Sequence, residues 1–405
     1  MPISFYEARQ KILDSVPLLN IEKVPLLDAA GRAIATDIIA DQPLPAFDNS
    51  AMDGYAVRAE ECVVGINLPV AGYLPAGKTS AYSVKPGTVV KIMTGAPIPP
   101  GANAVIPFEN CKAEQDHITI LQTVKKGDHI RWTGEDIRPG EQIIPAGTLL
   151  RPAEVSLLAS FRRPSIPVHR RVRVAILATG DELQEIDEPH FSSGIVNSNS
   201  WALAAAVREI GATPLVLGIA RDNLSSLREK IKAGLQADVL MTSAGVSAGD
   251  RDLVREVLKE FAIKEIFWKI KIKPGHPTAF GMHNDTPVFS LPGNPVSTLL
   301  TFEEFVRPAL LKMMGHHTIL RTLHRATLSE PIKKKAGRLQ ILRVAIQINQ
   351  EGKMMVRSAG DQNTGILRTL VDAQGIALLA AERDFFAAGE QIDIHLLGAS
   401  TALGY

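Results

Sequence analysis

Arg173–Leu183 reads RVAILATGDEL, an unbroken apolar run that ends in a small, acidic, turn-forming string. A short apolar run bounded by turn residues fits a strand buried on both faces of a sheet. The segments that follow decide the kind of sheet. Trp201–Ile210 predicts a helix, Pro214–Ala220 a strand, Leu224–Leu235 a helix, Ala237–Thr242 a strand and Leu253–Phe261 a helix. Ile266–Ile272 and Pro287–Leu291 predict further strands, and Val296–Leu311 a last helix. Strands alternating with helices of this length predict a mostly parallel sheet with helices on both faces.

On either side the pattern changes. Met1–Ser15 mixes Glu7, Arg9, Lys11 and Asp14 with apolar residues at helical spacing, and reads as an amphipathic helix and not as a signal peptide. From about Asp41 to Leu150 the chain is dense in Pro and Gly, with short apolar runs such as Thr88–Met93 and Ala104–Phe108, which predicts a small β-rich domain. Helix resumes at Pro152–Ser160. From about Leu323 on, strand signals such as Gln340–Ile348 and Glu390–Leu397 predict a separate β-domain. The expected fold is therefore multidomain α/β: a mostly parallel α/β domain, a β-rich insertion and a C-terminal β-domain.

Composition narrows the function. Lys+Arg 44 against Asp+Glu 43 leaves a net charge of +1, which argues against a generally basic nucleic-acid binder and leaves a local basic pocket open. The two cysteines, Cys62 and Cys111, lack the spacing of a zinc site or a disulfide framework. Apolar runs all fall short of the roughly 20 residues of a membrane helix. A reducing cytoplasm is the expected location.

Ligands of open α/β sheets bind beyond the carboxyl ends of the strands. There the sequence places Thr179–Leu183, then Arg221-Asp222, then Ser243–Asp252 (SAGVSAGDRD), then Pro292–Ser297 (PGNPVS). Each has a plain structural reading. Asp222 fits a cap for the helix at Leu224, Asn294-Pro295 fits a helix start, and the glycines fit tight turns. Convergence on one sheet edge favours a site. Ser243, Gly245, Ser247 and Gly249 offer hydroxyls and free N–H groups leading into a helix, a setting for phosphate or another oxyanion. Asp250 and Asp252 would repel that anion unless a cation intervenes, which implies Mg²⁺. In Phe267–Lys273 (FWKIKIK), alternation puts Lys269, Lys271 and Lys273 on one face. Lys271 fits a solvated edge; Lys273, before the Pro274–Pro277 turn, is better placed to meet an anion.

Taken together, PAFDNSAMDGYA (45–56), MTGAPIPPGA (93–102), GEDI (134–137), ATGDEL (178–183), SAGVSAGDRD (243–252), IKPGHP (272–277) and LPGNPVS (291–297) resemble the molybdopterin molybdenumtransferases, called MoeA in bacteria and the gephyrin E domain in animals. The resemblance spans essentially the whole chain. It implies an N-terminal arm (1–40 and 141–168), a β-rich insertion (41–140), a molybdopterin-binding α/β domain (169–316) and a C-terminal β-domain (317–405), assembled as a homodimer. It further implies a reaction that inserts molybdate into adenylylated molybdopterin and releases AMP, with a molybdopterin adenylyltransferase as a candidate partner. Activity in the family maps onto Asp53, Thr94, Asp136, Glu182, Asp222, Asp252, Lys269, Lys273, Pro292 and Pro295, and Ser297 and His276 match the region expected to meet molybdate. Asp252 and Glu182 are the candidate Mg²⁺ ligands.

Two positions depart from the family pattern. Ala244 follows Ser243 where Gly is usual, and His276 stands where Lys or Arg is common. A methyl group narrows the loop's conformational choice. A neutral imidazole binds molybdate less well than a fixed cation. The rival readings are a molybdopterin adenylyltransferase, which shares a similar α/β domain, and a non-catalytic scaffold, against which the retained carboxylates argue.

Overall fold

A computed structural model describes residues 1–79, 81–189, 193–244 and 253–398. It divides into two compact units: Met1–Ala35, Gly147–Val155 and Ser165 onward form the larger, and Thr36–Ala146 with Ser156–Pro164 the smaller.

The predicted α/β sheet lies in the larger unit. Thr213–Ala220, Arg173–Thr179, Val239–Ser243 and Thr286–Leu291 are neighbours in that order and all parallel; Ala279–His283 and Lys264–Trp268 extend one edge antiparallel. Alternate residues serve opposite layers, because strand side chains point to opposite faces. Val174, Ile176, Val239 and Met241 join one core with Leu203 and Val207 of the helix Ser198–Glu209 and with Phe5 and Ile12 of the N-terminal helix. Ala175, Leu177 and Leu240 join the opposite core with Leu227 and Ile231 of the helix Leu224–Gly234 and Val254 and Val257 of the helix Leu253–Glu260. The doubly covered, largely parallel sheet expected from the sequence is what forms.

Three elements differ from expectation. The strand read through Lys273 stops at Trp268, where pairing with Ala279 ends; Lys269 then adopts a left-handed backbone (φ 82°) and donates its N–H to Thr278 O at 3.0 Å. Beyond that break Ile272–Lys273 belongs to another sheet, parallel to Leu339–Gln340. Ala279–His283, unread in the sequence, is a strand. The helix from Pro295 to Met313 is not uniform, since Phe302–Val306 forms a π-helical turn inside it. Such turns are rare and widen the helix locally.

The C-terminal strands close on themselves. Leu339–Ile348, Met354–Ser358, Leu323–Leu328, Gln391–Leu396 and Gly375–Leu379 pair in that order, and the last pairs back onto the first. Closure removes free sheet edges. In the smaller unit a six-stranded sheet runs Ala104–Pro107, Gly54–Val57, Val89–Ile92, Asn67–Leu74, His117–Ile120, Cys111–Glu114. Glycine is required at position 54, because a Cβ there would lie 2.1 Å from Ile106 O on the neighbouring strand.

The π turn carries Glu304, whose side chain is 1% exposed. One oxygen of its carboxylate accepts from Arg9 of the N-terminal helix, and the other meets His395 Nδ1 on Gln391–Leu396 at 2.8 Å. Burial pulls the Arg9 pKa down while Glu304 opposes the shift. Breaking a buried pair by removing one partner costs roughly 3–5 kcal/mol, whereas replacing the whole pair with apolar groups is often neutral. Glu304→Ala is thus expected to lower unfolding free energy by about that amount, and replacing all three partners, Arg9→Met/Glu304→Leu/His395→Leu, to recover most of it. Denaturant midpoints of the two variants check this; a cost below about 1 kcal/mol for the single variant would contradict it.

Candidate functional site

Beyond the carboxyl ends of Arg173–Thr179 and Thr213–Ala220, two expected loops are bonded to each other. The Asp222 carboxylate accepts from the Asp181 N–H at 3.4 Å, and the Asp181 carboxylate accepts from the Asp222 N–H at 3.1 Å. Arg221 Nη1 donates to the carbonyl oxygen of Leu183 at 2.8 Å. Asp222 does not cap the following helix: Asn223 does, its side chain accepting from Ser226 N–H at 2.9 Å. Glu182 folds over Gly180, where an added Cβ would lie 2.4 Å from Glu182 Oε2. Asp181, Glu182 and Asp222 are all exposed, so this corner presents acid to solvent.

The next two loops are also joined. Ser243, 2% exposed, ends its strand, and Ala244 turns with φ 77° while donating its N–H to Leu291 O at 3.1 Å. A non-glycine residue in this left-handed region costs roughly 1–2 kcal/mol. The Ala244 methyl faces Gly293, where a Cβ would approach it to 3.1 Å. Glycine at 293 is what leaves room for alanine at 244. Asn199 Nδ2 donates to Ser243 Oγ at 2.9 Å and to Gly293 O at 2.7 Å. Gly245, Ser247, Gly249 and Asp252 lie outside the described residues.

Asn294 sits at the N-cap position before Pro295 without making the capping bond; its Nδ2 donates to Thr364 Oγ1 at 3.1 Å instead. Pro292 is buried, its carbonyl accepting from Thr298 Oγ1 at 2.5 Å, and Ser297 is 4% exposed. Against this helix packs the turn after Lys273: a Cβ on Gly275 would lie 2.5 Å from Thr301 Cγ2. Within the turn, His276 Nδ1 donates to Ile270 O at 2.5 Å, and the backbone returns a bond from Ile270 N–H to His276 O at 3.0 Å. Lys273 is exposed and Lys269 half-buried.

Asp53, Thr94 and Asp136 belong to the smaller unit. Asp53 Oδ1 accepts from both the N–H and the hydroxyl of Thr94, each at 2.7 Å. Those bonds, the backbone one foremost, hold the Asp53 carboxyl below its usual range. A parallel arrangement, missed in the sequence, has Asp48 accepting from Thr133 N–H at 2.8 Å and its hydroxyl at 2.7 Å. Asp136 is exposed, and its N–H donates to Leu44 O at 3.1 Å. Asn199 and Thr364 were likewise missed. The string Asn197–Ser200 (NSNS) before a helix was the available signal for the first.

Comparison with known proteins gives a consistent picture. Residues 3–161 match the family model of the MoeA N-terminal region (domain I and II), residues 175–312 that of a probable molybdopterin binding domain, and residues 325–397 that of the MoeA C-terminal region (domain IV). A molybdopterin molybdenumtransferase of Haemophilus influenzae is 36% identical over 400 residues, covering 97% of this chain and 99% of its own. Molybdopterin molybdenumtransferase 2 of Mycobacterium tuberculosis is 36% identical over 382 residues, covering 92% and 94%. The crystal structure of the molybdopterin biosynthesis moeA protein of Pyrococcus horikoshii superposes with a TM-score of 0.83 at 32% identity, over 98% of this chain and 100% of that one. On these matches and the fold they share, the chain belongs to the molybdopterin molybdenumtransferase (MoeA) family.

Proposed function

We propose that this chain inserts molybdate into adenylylated molybdopterin and releases AMP, as a transferase of molybdenum cofactor synthesis. One observation carries the reading: the Ser243–Ala244 turn and the Pro292–Ser297 loop are bonded together at the carboxyl edge of a parallel sheet, and the Lys273–His276 turn packs against the same helix. Two kinds of charge need handling there. Oxygens displaced from molybdate by sulfur take up protons, and AMP departs with its phosphate charge. Lys273 and the serine-loop amides are proposed to stabilise those charges in a preorganised setting. Lys269, Pro292, Asn294, Pro295 and Ser297 are proposed to shape the substrate site, Ser297 and His276 on the molybdate side. Asp53, held below its ordinary range by Thr94, is a poor proton acceptor and suits orienting the substrate. The exposed Asp136 is a further proposed activity residue of the smaller unit.

Mg²⁺ fits the donor chemistry. Asp181, Glu182 and Asp222 put hard oxygen donors at the ends of adjacent strands. Among the described residues no three acidic, histidine or cysteine side chains gather to hold an ion unaided. Mg²⁺ characteristically shares one or two carboxylates with substrate phosphates. Glu182 and Asp252 are the proposed ligands, and the bound ion would offset phosphate charge. We further propose a homodimer, a molybdopterin adenylyltransferase that supplies the substrate, and a cytoplasmic location. Among the described residues no helix is long and apolar enough to cross a membrane.

The direct test supplies adenylylated molybdopterin, molybdate and Mg²⁺ and follows AMP. Release of AMP is expected; its absence, or adenylylation of molybdopterin from ATP, overturns the reading. Asp252→Asn should fold normally yet lose at least about tenfold in rate at limiting Mg²⁺, since few carboxylates hold the ion. Full activity there would remove Asp252 from the metal site.

His276 allows a second test. Because Nδ1 is committed to Ile270 O, Nε2 carries a lone pair in the neutral ring and donates only when the ring is protonated. A fixed ammonium meets an oxyanion better than an imidazole, so His276→Lys should lower the molybdate Kd several-fold. Equal molybdate Kd values for the two proteins would make His276 a turn residue alone.

A further inference from the structure

The Ser243–Ala244 turn is strained, and one side chain from another element fastens it. Ala244 sits in a backbone region that disfavours a Cβ, at φ 77°. Its N–H bond to Leu291 O holds one side of the turn to the neighbouring strand. The other fastening comes from Asn199, second residue of the helix Ser198–Glu209. Asn197 already performs the capping bond, accepting from Ser200 N–H at 3.3 Å, which leaves the Asn199 carboxamide to reach across the sheet edge. Both of its N–H groups are used, one on Ser243 Oγ at 2.9 Å and one on Gly293 O at 2.7 Å. An asparagine spent in this way sets the distance between the Ser243 hydroxyl and the Gly293 carbonyl.

We propose that Asn199 is a positioning residue of the transfer site, fixing the Ser243 hydroxyl and the Gly293 carbonyl relative to each other before substrate arrives. The proposal rests on the functional reading above. With Ser243 Oγ accepting from Asn199, its own O–H stays available to donate, and an anionic oxygen of the substrate is the acceptor it suits. The Gly293 carbonyl accepts from the same carboxamide, so one of its lone pairs is already engaged. Asn199 touches neither substrate nor reacting atoms; it acts through Ser243 and the Gly293 loop.

Two variants separate this role from plain stabilisation. Asn199→Ala removes the side chain, and Asn199→Asp keeps its size while removing both N–H donors. Each should raise the KM for adenylylated molybdopterin by about tenfold and leave kcat within about twofold, the signature of lost binding shared by ground and transition states. In a Ser243→Ala background, Asn199→Ala should add less than about threefold, because the two residues act as one unit. Active parent enzyme with unchanged variants, or variants that lose kcat at constant KM through a smaller folded fraction, would overturn the Asn199 assignment alone. A parent that releases no AMP would overturn the functional reading and this assignment with it.

Discussion

A buried carboxylate must be paired, and Glu304 is paired with residues far from it in sequence. Arg9 arrives from the N-terminal helix and His395 from the closed C-terminal sheet, while Glu304 itself rides on the long helix of the α/β layer. Arg9 also donates to the Glu304 backbone carbonyl at 3.2 Å and lies 4.3 Å over the Phe5 ring, so the helix is held by charge and packing together. Around it Glu303 pairs with Arg307 and Arg321, and burial, with Arg307 nearby, brings His316 down to about 4. A cluster of this kind tolerates little sliding. It registers the α/β layer, the N-terminal helix and the closed sheet against one another.

That registration matters for the sheet edge. The loop after Pro292 is tied to the closed sheet through Asn294 and Thr364, and Arg343 holds the Thr364 segment from below by donating to Asp361 O at 2.8 Å and Asn363 O at 3.2 Å. Arg343 is 1% exposed, and its Nε is buried without a partner, so this anchoring has an unfavourable polar contact built into it. Similarly, Ala244 stays in a disfavoured backbone state because its neighbours determine it. Strain and incomplete hydrogen bonding thus occur in and behind the loops assigned to substrate.

Much of this was legible in the sequence. The period of apolar runs from Arg173 onward predicted the doubly covered sheet, and turn-forming strings marked the loops at its carboxyl edge. What escaped depends on distant contacts. Nothing local distinguishes Glu304 from a solvated helix residue, and the π turn beneath it leaves the apolar pattern intact. From Trp268 on, FWKIKIK alternates, with Ile270 and Ile272 buried, yet the chain changes sheets inside it, because pairing partners and not periodicity decide where a strand ends. Asn199 and Thr364 carry no signature beyond a polar residue near a turn. The departure at 244 was visible as a missing glycine, but its accommodation by Gly293 appears only when the two turns face each other.

The location of the molybdate site is the claim on which the functional reading most depends. Crystals of the protein soaked in molybdate, measured on both sides of the molybdenum absorption edge, would locate the metal by its anomalous scattering. A peak in contact with Lys273, His276 or Ser297, at the carboxyl edge of the parallel sheet, is the expected result. A well-occupied peak elsewhere on the chain, with that edge empty, would contradict it.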